Sequence, residues 1–217
     1  MSTKVAVVTG SNRGIGFEIV KGLCKKFDGT VYLTSRNEER GQEAVKKLQE
    51  IGLSPAFHIL DVTSEDSLQE FASFISSKHG GIDVLINNAG ILDFARSVSN
   101  YEEAKELLDT NFMSLLTVSK TLYPLLTNTA RVINITSDWG LLSNIKKQEW
   151  LDKLTKDDLT VDDILGKDIT AMTKGMGDFT PERGAHAPLY LALEAPQSIK
   201  GSFVWHDCNR VNWDDYI

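Results

Sequence analysis

Apolar runs broken by glycine turns and followed by helical periodicity divide this chain into repeating strand and helix units. Val5, Ala6, Val7 and Val8 are continuously apolar, the pattern of a strand buried on both faces of a parallel sheet. Thr9 and Gly10 break the run. Beyond Gly16 the period becomes helical, with Phe17, Ile19, Val20 and Leu23 on one face and Lys21, Lys25 and Lys26 on the other. Thr30–Thr34 predicts a second strand, Arg40–Gly52 an amphipathic helix ended by glycine, and Ala56–Leu60 a third strand. A helix over Ser64–Ser77, a fourth strand over Ile82–Ile86, a long helix from Tyr101 to Leu126 and a fifth strand over Arg131–Thr136 follow. Asn144–Asp168 is polar, with short helical patterns around Trp150–Leu154 and Val161–Leu165, and Ser202–His206 reads as a sixth strand. Strands that alternate with helices predict an α/β fold, doubly wound around a mainly parallel sheet.

The first strand–helix junction carries the strongest chemistry. Gly10, Ser11, Asn12, Arg13, Gly14, Ile15 and Gly16 join strand to helix with glycines spaced Gly-x-x-x-Gly-x-Gly. Gly10 allows the sharp turn, Gly14 lets a pyrophosphate approach the backbone, and Gly16 lets helix and strand pack closely. The helix N-terminus offers free N–H groups and the positive end of its dipole to the phosphate. After the second strand, where an acid would bind the ribose hydroxyls of NAD, stands Arg36, with Arg13 in the glycine turn. Two guanidinium groups there suit a 2′-phosphate and therefore NADP(H).

Preceded by Thr9, this glycine spacing resembles the signature of the short-chain dehydrogenase/reductase family. Asn87-Asn88-Ala89-Gly90, after the fourth strand, resembles the family's second signature. The resemblance implies a Rossmann-like fold over residues 1–217 as one NAD(P)-binding domain. It implies that Asp61 and Val62 lie against the adenine, although Asp61 also suits a cap for the Ser64–Ser77 helix. Asn88, Ala89 and Gly90 would line the coenzyme, Asn111 would hold a water of a proton relay, and Ser137 would position a substrate carbonyl. The helical insertion at about 144–168 and the segments Thr180–His186, Pro188–Leu193 and Gly201–His206 resemble the cytosolic NADPH-dependent carbonyl reductases, which are monomeric.

One part of the family pattern is missing. Downstream of the serine a tyrosine should donate a proton, with a lysine four residues later to lower its pKa and hold the ribose. After Ser137 the tyrosines are Tyr190 and Tyr216, and neither is followed by such a lysine. Tyr101 and Lys105 have the spacing but precede the serine, and read as surface neighbours on a helix. The junction near Lys167–Thr170 reads as the point where one helix and one strand of the family pattern are absent. A shortened isoform would leave the fifth strand as an edge, and Ser202–His206 is expected to lie beside it. The implied function is NADPH-dependent reduction of aldehydes, ketones or quinones, impaired in this form. The alternative is a non-catalytic, NADP-binding or partner-binding isoform, with self-association through the exposed face.

Composition adds exclusions. The 217 residues are 41% apolar and 24% charged with net charge −7, which gives no electrostatic case for nucleic acid or an anionic membrane as partner. Two cysteines suit a reducing compartment, with Cys24 a small core filler, and no apolar run is long enough to span a bilayer. The first strand leaves no room for a signal peptide, so the expected location is cytoplasmic. His58 reads as a core residue, and the scattered histidines, with His206 and Cys208 as two ligands at most, make no metal site.

Overall fold

The computed structural model describes residues 3–91, 101–137, 145–156, 158, 160, 186–194, 203–204 and 210–211. Strands β1 (Lys4–Val8), β2 (Gly29–Ser35), β3 (Ala56–Ile59), β4 (Ile82–Asn87) and β5 (Leu126–Asn134) form one sheet in the order β3-β2-β1-β4-β5. Every neighbouring pair is parallel. The helices are α1 (Gly14–Lys26), α2 (Glu38–Glu50), α3 (Glu65–His79), α4 (Tyr101–Leu108), α5 (Ser114–Leu122), α6 (Gln148–Leu154) and α7 (His186–Leu193).

Successive residues of a strand face opposite sides of the sheet, so a strand covered on both sides must be apolar throughout. Ala6, Val8, Leu33, Val84 and Ile86 pack under Ile19 and Leu23 of α1, Leu48 of α2 and Ala192 of α7. Val5, Val7, Tyr32 and Leu85 face the other way, against Leu68, Phe71 and Ile75 of α3 and Val118 and Leu122 of α5. Burying each of the larger side chains contributes about 1.5–3 kcal/mol. The doubly wound α/β architecture is therefore as the sequence predicts.

Helix ends follow local chemistry. The Asn37 side chain accepts from the N–H of Arg40 at 2.8 Å and starts α2, with Glu38 and Glu39 in its first turn. Ser64, not Asp61, caps α3: its hydroxyl accepts from the N–H of Ser67 at 3.3 Å. α3 ends at Gly80, whose φ of 81° lies in the left-handed region.

Three expectations are corrected. The long helix is interrupted: a π-turn at Asp109–Met113 separates α4 from α5, and a 3₁₀ turn at Tyr123–Leu125 carries Pro124. β5 begins at Leu126, since Leu126 pairs with Ile82 and Arg131 with Val84 across an irregular register, and it ends at Asn134. Finally, Phe203–Val204 (β6) pairs antiparallel with Arg210–Val211 (β7) in a separate two-stranded sheet. A pairing with the next short segment closes a small loop and costs less chain entropy than reaching β5. Among the described residues β5 is thus an edge of the five-stranded sheet. Val161–Leu165 and the Lys167–Thr170 junction lie outside the described residues.

Candidate functional site

β1 and β4 are neighbours at the centre of the sheet, and the chain leaves them towards opposite edges. Such a reversal opens a crevice beyond the carboxyl ends of the two strands, where doubly wound folds bind ligands. Two loops border it: Gly10–Gly16 after β1 and Asn88–Ile91 after β4.

Side chains from both loops lock them together. The buried Thr9 hydroxyl accepts from the N–H groups of Asn88 and Ala89, each at 3.0 Å. Asn88 returns two bonds, donating from Nδ2 to the carbonyls of Thr9 at 2.9 Å and Gly10 at 3.0 Å. Gly10 has φ 59°, and a Cβ there would lie 2.8 Å from the Cα of Ala89. At Gly16 a Cβ would meet Asn88 Nδ2 at 2.4 Å. These glycines are fixed by contact between the two signatures. Ser11 is fully buried: its hydroxyl donates to the Val8 carbonyl at 2.8 Å and accepts from the Thr34 N–H at 3.0 Å. It shapes the turn from beneath, and its hydroxyl is spent.

The N-terminus of α1 is open. Unlike α2 and α3, it has no side-chain cap and no acid in its first turn. Gly14 has φ 60°, and a Cβ built on it meets nothing within 4 Å, so the space beyond the turn is free. Arg13 and Arg36 are both exposed, and among the described residues neither has an ion pair or side-chain hydrogen bond. Free N–H groups, an approachable backbone and two unpaired guanidinium groups fit a pyrophosphate carrying a further phosphate. Asn12 and Ile15 are half-buried in the same turn, Ile15 packing against the core beneath α1.

Asp61 ends the β3 segment in an Asx turn, its Oδ1 accepting from the Thr63 N–H at 2.9 Å and the Thr63 hydroxyl at 2.7 Å. Val62 is buried in the core. Beside them lies a cavity of about 420 Å³, which Arg36 and Thr63 share with Glu102, Lys105, Asp109 and Thr117 of the opposite helices. Lys105 pairs with Asp109, whose carboxylate holds the ammonium above its ordinary range. Tyr101 is 68% exposed. The pair reads as helix surface here too, with Lys105 committed to Asp109.

Asn111 sits on the π-turn and clasps the residue after Gly90: Oδ1 accepts from the Ile91 N–H and Nδ2 donates to the Ile91 carbonyl, both at 2.8 Å. Ser137 follows β5 by three residues and is exposed at the same end of the sheet. The strand ends that lead to these two residues are tied, since Asn87 Nδ2 donates to Asn134 Oδ1 at 2.8 Å and the Asn87 carbonyl accepts from Ile135 at 2.9 Å. Asn87 Oδ1 is buried without a hydrogen-bond partner among the described residues.

Sequence reasoning missed Thr34 and Asn134, and placed Thr9 in the first signature without its latching role. A hydroxyl at a strand end was the available signal for Thr9, but its partners lie about 80 residues away. His58 is a correction: it is half-exposed on edge strand β3, its ring 4.5 Å from that of Phe74. Cys24 is half-buried and packs against the core, and desolvation pushes its thiol up to about 11, so it has no nucleophilic character. Among the described residues no three His, Cys, Asp or Glu could hold a metal ion, and no helix is long and apolar enough to cross a membrane.

A parallel doubly wound sheet with a glycine turn latched to an Asn-Asn-Ala-Gly loop defines a dinucleotide-binding fold. Residues 4–148 match the short chain dehydrogenase family, and this chain belongs to that family. It is 40% identical over 189 residues to carbonyl reductase (NADPH) 1 of Mus musculus, covering 86% of this chain and 66% of the relative. It is 41% identical over 167 residues to carbonyl reductase (NADPH) 1 of Sus scrofa, covering 76% of this chain and 58% of the relative. The chain therefore spans less than two thirds of the length of these relatives. Among solved structures, salutaridine reductase from Papaver somniferum matches with a TM-score of 0.70 and 32% identity, over 75% of this chain and 67% of that one. Menthone neomenthol reductase from Mentha piperita matches with a TM-score of 0.65 and 29% identity, over 76% and 72%.

Proposed function

We propose that this chain binds NADP(H) in the β1–β4 crevice and belongs, by activity, with the NADPH-dependent reductases of aldehydes, ketones or quinones. The observation that carries this reading is the open N-terminus of α1, with Gly14 facing free space and Arg13 and Arg36 unpaired. The similarity to NADPH carbonyl reductases supports it. In this reading the N–H groups of residues 14–16 hold the pyrophosphate, and Arg13 and Arg36 take the 2′-phosphate. Asp61, Val62 and Asn88–Gly90 line the adenosine and nicotinamide ends. Ser137 would donate a hydrogen bond to the substrate carbonyl oxygen, and Asn111 would position water at the end of the Ile91 segment. NADPH supplies a hydride.

The proton is the weak point of this chain. No Tyr-x-x-x-Lys follows Ser137, Tyr101 stands in solvent, and its neighbour Lys105 is held by Asp109. Loss of a general acid commonly costs a factor of about 10² to 10⁴ in rate. We therefore read the chain as a coenzyme binder with impaired turnover. The same gap favours a second reading, a shortened, non-catalytic isoform that binds NADP or a partner. Cytoplasmic location and a small carbonyl substrate belong to the first reading. Titration with NADPH, followed by NADPH oxidation with a quinone in the unchanged chain and in Tyr101→Phe, tests both. Saturable binding with turnover that survives in Tyr101→Phe supports a reductase with another proton route. Binding without turnover supports the second reading, and absence of binding refutes the reductase reading and leaves only the partner-binding form of the second.

A further inference from the structure

The cavity of about 420 Å³ beside Arg36 falls within the size range of small-ligand pockets, about 300–1,000 Å³. Its charges do not suit an anion. Lys105 is spent on Asp109, while Glu102 and Glu106 add two further carboxylates. Glu106 is exposed and, among the described residues, has no ion pair or side-chain hydrogen bond. No residue of α4 is buried, so this helix gives its side chains to the cavity and to solvent, not to the core. The rest of the wall is uncharged: Thr63, Thr110, Ser114 and Thr117 carry short hydroxyl side chains, and Met113, 37% exposed, is apolar. A carboxylate accepts hydrogen bonds and donates none. Such a lining fits a neutral, flat, partly apolar group with an N–H donor on its rim.

We propose that this cavity receives the coenzyme's adenine ring and that Glu106 of α4 accepts a hydrogen bond from its 6-amino group. The proposal rests on the coenzyme reading above. There Arg36 holds the 2′-phosphate, and the base hangs from the ribose carbon next to the one that bears that phosphate, so it lies beside Arg36. Asp61 is the other carboxylate given to the base, but its Oδ1 is already occupied by the Thr63 N–H and hydroxyl. The polarisable thioether of Met113 suits contact with an aromatic ring. Hypoxanthine carries a carbonyl oxygen where adenine carries the amine, and that oxygen would meet the lone pairs of Glu106. Glutamine at the same position can turn its oxygen to an amine or its N–H to a carbonyl, and so accepts either base.

The test is equilibrium binding of NADPH and of its deaminated analogue, with hypoxanthine in place of adenine, followed by coenzyme fluorescence. The unchanged chain, Glu106→Gln and Asp61→Asn are compared, and thermal melting verifies that each variant is folded. Turnover is not needed. Both coenzymes carry the same phosphates, so the charge removed with Glu106 cancels in the ratio of their affinities. Loss of a hydrogen bond to a charged group predicts that the unchanged chain binds the analogue about tenfold more weakly than NADPH. Glu106→Gln is expected to reduce that ratio to about twofold or less. A ratio near one in the unchanged chain, or an unaltered ratio in a folded Glu106→Gln, overturns the proposal. If Asp61→Asn abolishes the discrimination while Glu106→Gln keeps it, the coenzyme reading stands and the part given to α4 falls. If the unchanged chain binds neither coenzyme, the coenzyme reading itself fails, and the proposal with it.

Discussion

Gly16→Ala is the most informative substitution, because its cost is routed through one side chain. A Cβ at residue 16 would lie 2.4 Å from Asn88 Nδ2 and 2.8 Å from the Cα of Ser11. The first contact forces the Asn88 amide away from the Thr9 and Gly10 carbonyls, which it reaches at 2.9 and 3.0 Å. Two hydrogen bonds at about 1 kcal/mol each, plus overpacking of about 1 kcal/mol or more, give a loss of about 3 kcal/mol. Alanine's helix propensity returns up to about 1 kcal/mol, leaving a net cost near 2 kcal/mol. Asn88→Ala alone loses the same two bonds, about 2 kcal/mol. In the double variant the amide is gone, so only the Ser11 contact opposes the new methyl group. The penalty of Gly16→Ala should then fall by about 1–2 kcal/mol, the coupling expected of touching residues. Urea unfolding followed by far-ultraviolet circular dichroism on the four chains of the cycle measures it. Additivity within about 0.5 kcal/mol would refute the contact argument.

Other expectations rest on separate features. Thr9→Val removes the acceptor of the Asn88 and Ala89 N–H groups and should cost about 2–3 kcal/mol in the same urea assay. Thr9→Ser, which keeps the hydroxyl, should recover most of it. Burial raises the Cys24 thiol from 9.0 to about 11, so its folded pKa exceeds its unfolded one. Its contribution is intact below pH 9 and is lost as pH rises towards 11; Cys24→Ala should flatten that limb of the stability profile, and native Cys24 should resist alkylation at pH 8. His79 Nε2 and the Tyr32 hydroxyl lie 2.8 Å apart, and desolvation lowers the His79 pKa below 6.5. That contribution is present above pH 6.5 and lost as pH falls through the lower folded value, so Tm should drop between pH 7 and pH 5 less in His79→Gln than in the unchanged chain.

The parts of the fold legible in the sequence are those decided by local pattern. Val5–Val8 is apolar at every position, and Ile82–Ile86 at every position but Asp83, because both sheet faces are covered, and their boundaries lie within a residue of the observed strands. The start of β5 was hidden, since Leu126–Ala130 reads as a polar stretch and becomes a strand by pairing with Ile82 across an irregular register. The π-turn was hidden for a similar reason. The run Asp109–Met113 has ordinary helical residues, and the clasp of Asn111 on Ile91 is a tertiary contact across 20 residues. In the candidate site the glycines were legible as a motif, whereas the reason for Gly16 lies in Asn88, which no local window contains. The assignment of Asp61 as a helix cap failed because Ser64 stands one residue before the helix and competes better.

The docking of α7 has a consequence for how the molecule comes into being on the ribosome. Leu189 occupies the space that a side chain at Gly22 would fill, Arg131 donates to the Leu191 carbonyl at 2.7 Å, and Lys26 pairs with Glu194 at 3.0 Å. The last of these contacts spans 168 residues. At synthesis rates of 5–20 residues per second, roughly 8 to 34 s separate the emergence of its two ends. Throughout that interval the nascent chain lacks the cover that α7 gives to the face of α1 around Gly22. Chaperone occupancy during translation should therefore concentrate on that face and end when residues 186–194 leave the exit tunnel.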